Sequence, residues 1–379
     1  MKAATQPVQR PRDAKLLVVD RHGGIAHESR TSLAQVLQPG DLLVANDAAT
    51  LPASLRGVHV ATGREIEVRL AARPSLAVDD VHGFTAVLFG EGDYRTPTEH
   101  RPLPPTVAPG DRLHLGPLSA TVLRTCSHPR LVAIRFDGTA DAIWAGLARH
   151  GKPVQYAHMA QPLALWDVWT RVAAVPVAFE PPSAGFVLDW ALLRELKSRG
   201  IGFATLTHAA GLSSTGDDEL DARLPLPEPY FIPRATADAI RETRWNCGRV
   251  VALGTTVVRA LEHAASRPGI AAATCAEAGP APPHGAGIAD QRIGPHTRLR
   301  AVDAIVSGTH EPGTSHYELL RAFAPDALLQ RAAAELDAHG YLTHEFGDSV
   351  LIEAVPPPEA SKCKVRRPGQ GLLLASTPP

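Results

Sequence analysis

The sequence predicts an α/β protein interrupted by a small all-β segment. Near the start and again after Gly151, apolar strand-like runs alternate with stretches of helical periodicity. Between about residues 56 and 149 these give way to short alternating segments cut by Gly, Pro and Asp turns. A third observation is local. RVVALGTTVVRALE at 249–262 joins a fully apolar strand to a helix through Gly254, Thr255 and Thr256.

Residues 15–20 read as a buried strand, with His22-Gly23-Gly24 as its turn. A short helix is expected over 32–37, then a strand over 42–45 that runs into Asn46-Asp47. The segments 65–70, 84–89, 112–115, 120–123 and 131–136 alternate as strands of a small antiparallel barrel or sandwich. Asp189 suits the N-cap of a helix whose apolar face is Trp190, Leu193 and Leu196 and whose stop is Gly200. A strand over 201–208 follows, and a final helix runs from Asp326 to Gly340. The Ala/Pro/Gly stretch over 266–287 reads as a surface loop, and residues after Val355 as a disordered tail. The expected division is a core from 1–56 and 151–355, an insertion over 57–150 and a tail over 356–379.

With 38 basic against 39 acidic residues, the chain excludes a globally basic nucleic-acid binder. Any RNA contact must be a local patch. Cys126, Cys247, Cys275 and Cys363 form no CxxC pair, which lends little support to a metal or disulfide framework. The N-terminus lacks an apolar signal core and no run reaches membrane-spanning length. A cytoplasmic protein without membrane or metal partner is expected. Dinucleotide, P-loop, HExxH and GxSxG patterns are all missing.

The string at 254–262, GTTVVRALE, resembles the GTTSVRALE segment of the S-adenosylmethionine:tRNA ribosyltransferase-isomerases of queuosine biosynthesis. Other segments resemble that family in the same order. KLLVVDR at 15–21 and PGDLLVAND at 39–47 match its opening strands, and PPSAGFVL at 181–188 echoes its APTAGLHF. SGTHEPGTSHYELLRAF at 307–323 aligns without gaps with TNFHLPKSTLLMLVSAF, and YLTHEFGDSVLI at 341–352 with YRFFSYGDAMLI. The resemblance covers about residues 12–354. It implies a barrel-like α/β core formed by both chain ends, with an inserted antiparallel β-barrel. It also implies transfer and isomerisation of the ribosyl group of S-adenosylmethionine onto 7-aminomethyl-7-deazaguanine in the tRNA anticodon loop. The product is epoxyqueuosine, released with adenine and methionine. S-adenosylmethionine is then a substrate, and no prosthetic group or metal is required. The family's H-x-M-H-x-E-x-Y keeps Glu228 and Tyr230 but neither histidine, and its PLPPYI has become PVQYAHM at 153–159. Two other readings therefore stay open: a paralogue with a small-molecule acceptor, and a non-catalytic binding protein on the same scaffold.

Such a transfer needs a base near the 5′ carbon, a proton donor for adenine and groups that hold the ribose hydroxyls. The resemblance points to His310, His208 and Glu228 as catalytic residues. Gly254, Thr255, Thr256 and Arg259, at a helix start, suit a polar or anionic ligand group. Thr314 and Ser315 can cap the following helix and bind a ligand oxygen. Asp348 can bind a ribose hydroxyl or only fix its turn. Simpler roles compete with these. His208 can be satisfied by loop backbone, Glu228 can be an exposed loop residue between prolines, and Arg259 can pair with Glu262 on a helix surface. Trp166 and Trp169 are expected to pack in the core or between domains, or, if exposed, to stack on a base.

Overall fold

The computed structural model describes residues 1–9, 11, 13–267 and 282–355. The expected tail and residues 268–281 of the expected loop lie outside the described residues.

Both ends of the chain enter one nine-stranded sheet. The N-terminal part supplies β1 (Lys15–Val19), β2 (Ile25–Ser29) and β3 (Leu42–Asn46). The insertion holds β4 (Ser54–His59), β5 (Arg64–Ala72), β6 (Gly83–Phe89), β7 (Arg112–Leu115), β8 (Leu118–His128) and β9 (Leu131–Phe136). The remainder contributes β10 (Gly202–His208), β11 (Glu228–Ile232), β12 (Val250–Leu253), β13 (Gly285–Ala289), β14 (Ala304–Gly308) and β15 (Ser349–Glu353). The sheet order is β13-β11-β10-β3-β12-β14-β15-β1-β2, ending in two edges.

Its centre is parallel, with β10 and β12 flanking β3 at Gly202↔Leu42 and Val250↔Leu42. Every residue of β3 and β12 is buried, as continuous apolar runs require in a sheet covered on both faces. Alternation divides them. Val44, Val250 and Ala252 join one core with helices α3 (Arg234–Trp245), α4 (Thr255–Ser266) and α6 (Asp326–Ala338), while Leu43, Ala45, Val251 and Leu253 join a second with α2 (Trp190–Ser198). Asp189 caps α2, its Oδ1 accepting the Leu192 N–H at 2.7 Å. Its apolar face is Leu192, Leu193 and Leu196, but Trp190 is 74 % exposed.

The insertion closes into a six-stranded antiparallel barrel in the order β8-β9-β6-β5-β4-β7. Helix α1 (Ala140–His150), not anticipated, lays Ile143 and Leu147 against its core.

Several expectations are corrected. The segment around Glu228 is strand β11, and Gly285–Ala289, partly inside the expected loop, is its partner β13. Trp166 and Trp169 are exposed, at 76 % and 41 %. Cys126 is a free thiol, and Cys247 is disulfide-bonded, against the expectation of no disulfide. No helix among the described residues is long and apolar enough to cross a membrane.

Candidate active site

A cavity of about 290 Å³ opens beyond the carboxyl ends of the central parallel strands, where α/β folds collect ligands. The end of β12 delivers Gly254, Thr255, Thr256 and Arg259 to its wall. The end of β14 delivers Ser307, Gly308 and His310, and α5 (Ser315–Leu320) adds Ser315 and His316. The loop beyond β10 brings Gly211, and β11 brings Glu228.

Gly254 turns the chain from strand to helix at φ +100°, a conformation L side chains avoid. A Cβ there would also lie 3.3 Å from that of Ala184. Its N–H donates to Val306 O at 2.8 Å, tying the turn to β14. Helix α4 has no side-chain N-cap, so its first-turn N–H groups remain for an occupant of the cavity. Asn46 at the end of β3 fixes the neighbourhood. Its Nδ2 donates to His208 O at 2.9 Å and Thr256 Oγ1 at 3.2 Å, and its Oδ1 accepts from the His208 and Ala48 N–H groups. All four contacts are buried or nearly so, which makes Asn46 a positioning residue that motif comparison did not single out.

Arg259 and Glu228, 31 residues apart, form a buried ion pair through Nη1 and Oε2. Each is 5 % exposed. The other carboxylate oxygen accepts the Gly211 N–H at 2.5 Å, and Arg259 Nη2 donates to Ala289 O at 2.9 Å. Burial pushes the guanidinium pKa down to about 10. This corrects two expectations: Glu228 is not an exposed loop residue, and Arg259 does not pair with Glu262. Glu262 instead accepts the N–H groups of Arg300, Ala301 and Val302 at 2.8 to 3.0 Å.

His310 Nε2 lies 3.1 Å from Ser307 Oγ, and its ring stacks on His316 with centroids 4.6 Å apart and planes 11° apart. Burial lowers the pKa of both imidazoles, that of His310 well below the ordinary value with help from His316 and His344. Both rings are therefore neutral at pH 7 and able to accept a proton.

Three expected site residues do not line the cavity. His208 is fully buried behind Glu228, its Nε2 3.4 Å from the carboxylate, and neither ring nitrogen has a hydrogen-bond partner. Burial, then the charge of Arg259, push its pKa well down, so it is a neutral packed ring. Thr314 is the N-cap of α5, accepting the Tyr317 N–H at 3.3 Å and donating to Glu311 O at 2.9 Å. Asp348 holds the fold together, with Oδ1 accepting the Lys15 N–H at 2.7 Å and Oδ2 the Leu342 N–H at 2.8 Å. Its carbonyl accepts the Thr309 N–H, so it steadies the loop before His310.

Among the wall residues the sequence did not single out are His316, whose only signal is its place in the first turn after the Thr314 cap, and Glu180, which precedes PPSAG. Nearby, His158, His344 and Glu345 bring possible ligand atoms within 4.8 Å of one another. The two imidazoles stack at 4.2 Å and 16°, so their in-plane lone pairs run side by side and do not converge on one point.

A family model described as queuosine biosynthesis protein matches residues 1–352. The chain is similar to the S-adenosylmethionine:tRNA ribosyltransferase-isomerase of Azoarcus sp. (strain BH72), 32 % identical over 92 % of this chain and 93 % of that protein. It is also similar to the protein of the same name from Sorangium cellulosum (strain So ce56), 31 % identical over 94 % and 96 % of the two chains. A solved structure, the S-adenosylmethionine tRNA ribosyltransferase from Thermotoga maritima, is 25 % identical with a TM-score of 0.48, covering 92 % of this chain and 96 % of that one. Matched along nearly its whole length by the family model and by these relatives, the chain belongs to the queuosine biosynthesis protein family.

Proposed function

We propose that this protein transfers and isomerises the ribosyl group of S-adenosylmethionine onto 7-aminomethyl-7-deazaguanine in tRNA, giving epoxyqueuosine-tRNA, and that it does so in the cytoplasm. One observation carries the proposal: an uncapped helix N-terminus and a pair of neutral imidazoles face the same cavity. The sulfonium of S-adenosylmethionine acidifies the neighbouring 5′ protons. A neutral His310, oriented by Ser307, is suited to accept one of them. The α4 N–H groups, with Thr255, Thr256 and Ser315, are suited to ribose hydroxyls. The buried Arg259–Glu228 pair holds the floor of the site in place through Gly211 and Ala289. The chain is near neutral, so tRNA must be engaged through a local surface.

The test is adenine release from S-adenosylmethionine, measured with and without precursor tRNA. Release that depends on tRNA supports the proposal. Release that ignores tRNA, or binding of S-adenosylmethionine without release, overturns it.

A further inference from the structure

We propose that Glu180, held in the cavity wall by Tyr156, is the catalytic acid that protonates the departing adenine. This assignment rests on the ribosyl-transfer reading of the site.

Four carboxylates line the cavity: Glu180, Asp221, Glu228 and Glu318. Three are committed elsewhere. Asp221 accepts from Ser214 Oγ at 2.8 Å and from the N–H and hydroxyl of Thr215 at 2.6 Å each. Glu228 pairs with Arg259. Glu318 pairs with Arg321 at 2.6 Å. Among the described residues, no Lys or Arg pairs with Glu180. It is 9 % exposed, and its Oε1 accepts the Tyr156 hydroxyl.

The charged groups around it do not favour ionisation. Glu345 faces it across a smaller pocket that Glu180, Tyr156 and Glu345 share. Glu345 carries its own partner, His158 Nε2 at 3.1 Å. The Arg69 guanidinium lies 5.6 Å from the Tyr156 ring and so stands behind the phenol. Burial, with a contribution from Glu345, pushes the Glu180 carboxyl up to about 7, while contacts with Tyr156 and Ser213 pull the other way. Burial raises the phenol well above its ordinary value, so Tyr156 stays a donor. The cavity thus pairs a carboxyl that keeps its proton near neutrality with imidazoles that have lost theirs, a division of labour suited to general acid and general base.

In the step proposed, the C1′–N9 bond breaks and its electron pair leaves with the purine. The ribose ring oxygen donates a pair to C1′. The Glu180 proton moves to the purine, adenine departs neutral, and Glu180 remains as a carboxylate accepting from Tyr156 until solvent returns the proton. No oxidant or reductant is needed.

The test is single-turnover adenine release by wild type, Glu180→Gln and Tyr156→Phe between about pH 5.5 and 9, with S-adenosylmethionine affinity measured by calorimetry. Wild-type release should fall as pH rises through about 7. Glu180→Gln should slow release by about 100-fold or more and lose that alkaline limb, while affinity changes by no more than about threefold. Tyr156→Phe, which removes a hydrogen bond that lowers the Glu180 pKa, should move the limb to higher pH. An active wild type whose Glu180→Gln variant is equally fast, or keeps the same limb, overturns this assignment alone. A wild type that releases no adenine overturns the ribosyl-transfer reading and the assignment with it.

Discussion

Replacing Arg259 by Met is expected to destabilise the protein by about 3–5 kcal/mol, the range for breaking a buried ion pair from one side. Burial pushes the guanidinium's own pKa down from 12.5 to about 10, so the loss comes from stranding the Glu228 carboxylate and not from losing the cation's charge itself. Glu228 lies equally deep, at 5 % exposed, and would lose its cation while keeping only the Gly211 N–H and a neutral His208 beside it. Its folded-state pKa would then rise. The sign follows: the folded variant would bind a proton that the unfolded chain releases, so the deficit should shrink as pH is lowered from 7.5 toward 5. Removing both charges in Arg259→Met/Glu228→Gln should recover about 2 kcal/mol or more of the summed single-variant losses, since no uncompensated ion remains. Urea denaturation of the four proteins with linear extrapolation measures this directly. Two single variants that each lose less than about 1 kcal/mol, and whose losses simply add, would refute the view that this pair braces the site.

Gly254→Ala should lose about 1–3 kcal/mol, from the positive φ and the close Ala184 Cβ, and should weaken S-adenosylmethionine binding; unchanged denaturation and calorimetry would contradict the turn's role. Asn46→Leu strips partners from the buried backbone of His208 and should cost about 2–4 kcal/mol, read from the urea midpoint. His310→Ala should lower adenine release at least about tenfold with an unchanged circular dichroism spectrum; wild-type turnover would remove His310 from the mechanism. Glu180, with a folded pKa raised from 4.5 to about 7, should contribute up to roughly 3 kcal/mol of stability that is complete below pH 4.5 and lost as pH rises through about 7. Glu180→Gln should flatten that part of the stability profile, and an unaltered profile would show that the carboxyl titrates normally.

Some of the site was legible because its causes are local. The strand–glycine–helix junction at Gly254 needs only an apolar run, a residue that tolerates positive φ and a helical repeat, all within fourteen consecutive positions of the chain. The Asp189 cap and strands such as Arg112–Leu115 and Leu131–Phe136 were readable for the same reason. Strand β11 was not, because Pro227 and Pro229 mimic a loop and Pro229 has no N–H for the ladder. Its place beside β10 and β13 is decided by pairings such as His208↔Tyr230 and Pro229↔Ile288. Helix α1 was legible but missed: Ala140, Ile143, Trp144 and Leu147 fall at helical spacing after the Thr139 cap, and that stripe packs on the barrel.

Residue type and spacing settled where the chain turns, which runs are buried strands and which segments resemble a known family. They did not settle what each polar side chain does. Arg259 sits one helical turn from Glu262 yet pairs with Glu228, and His208 and Asp348 turn inward while Glu180 and His316 reach the cavity. Local backbone preference acts over a few neighbours, whereas desolvation and charge pairing sum over every group that folding brings close, most of them remote along the chain.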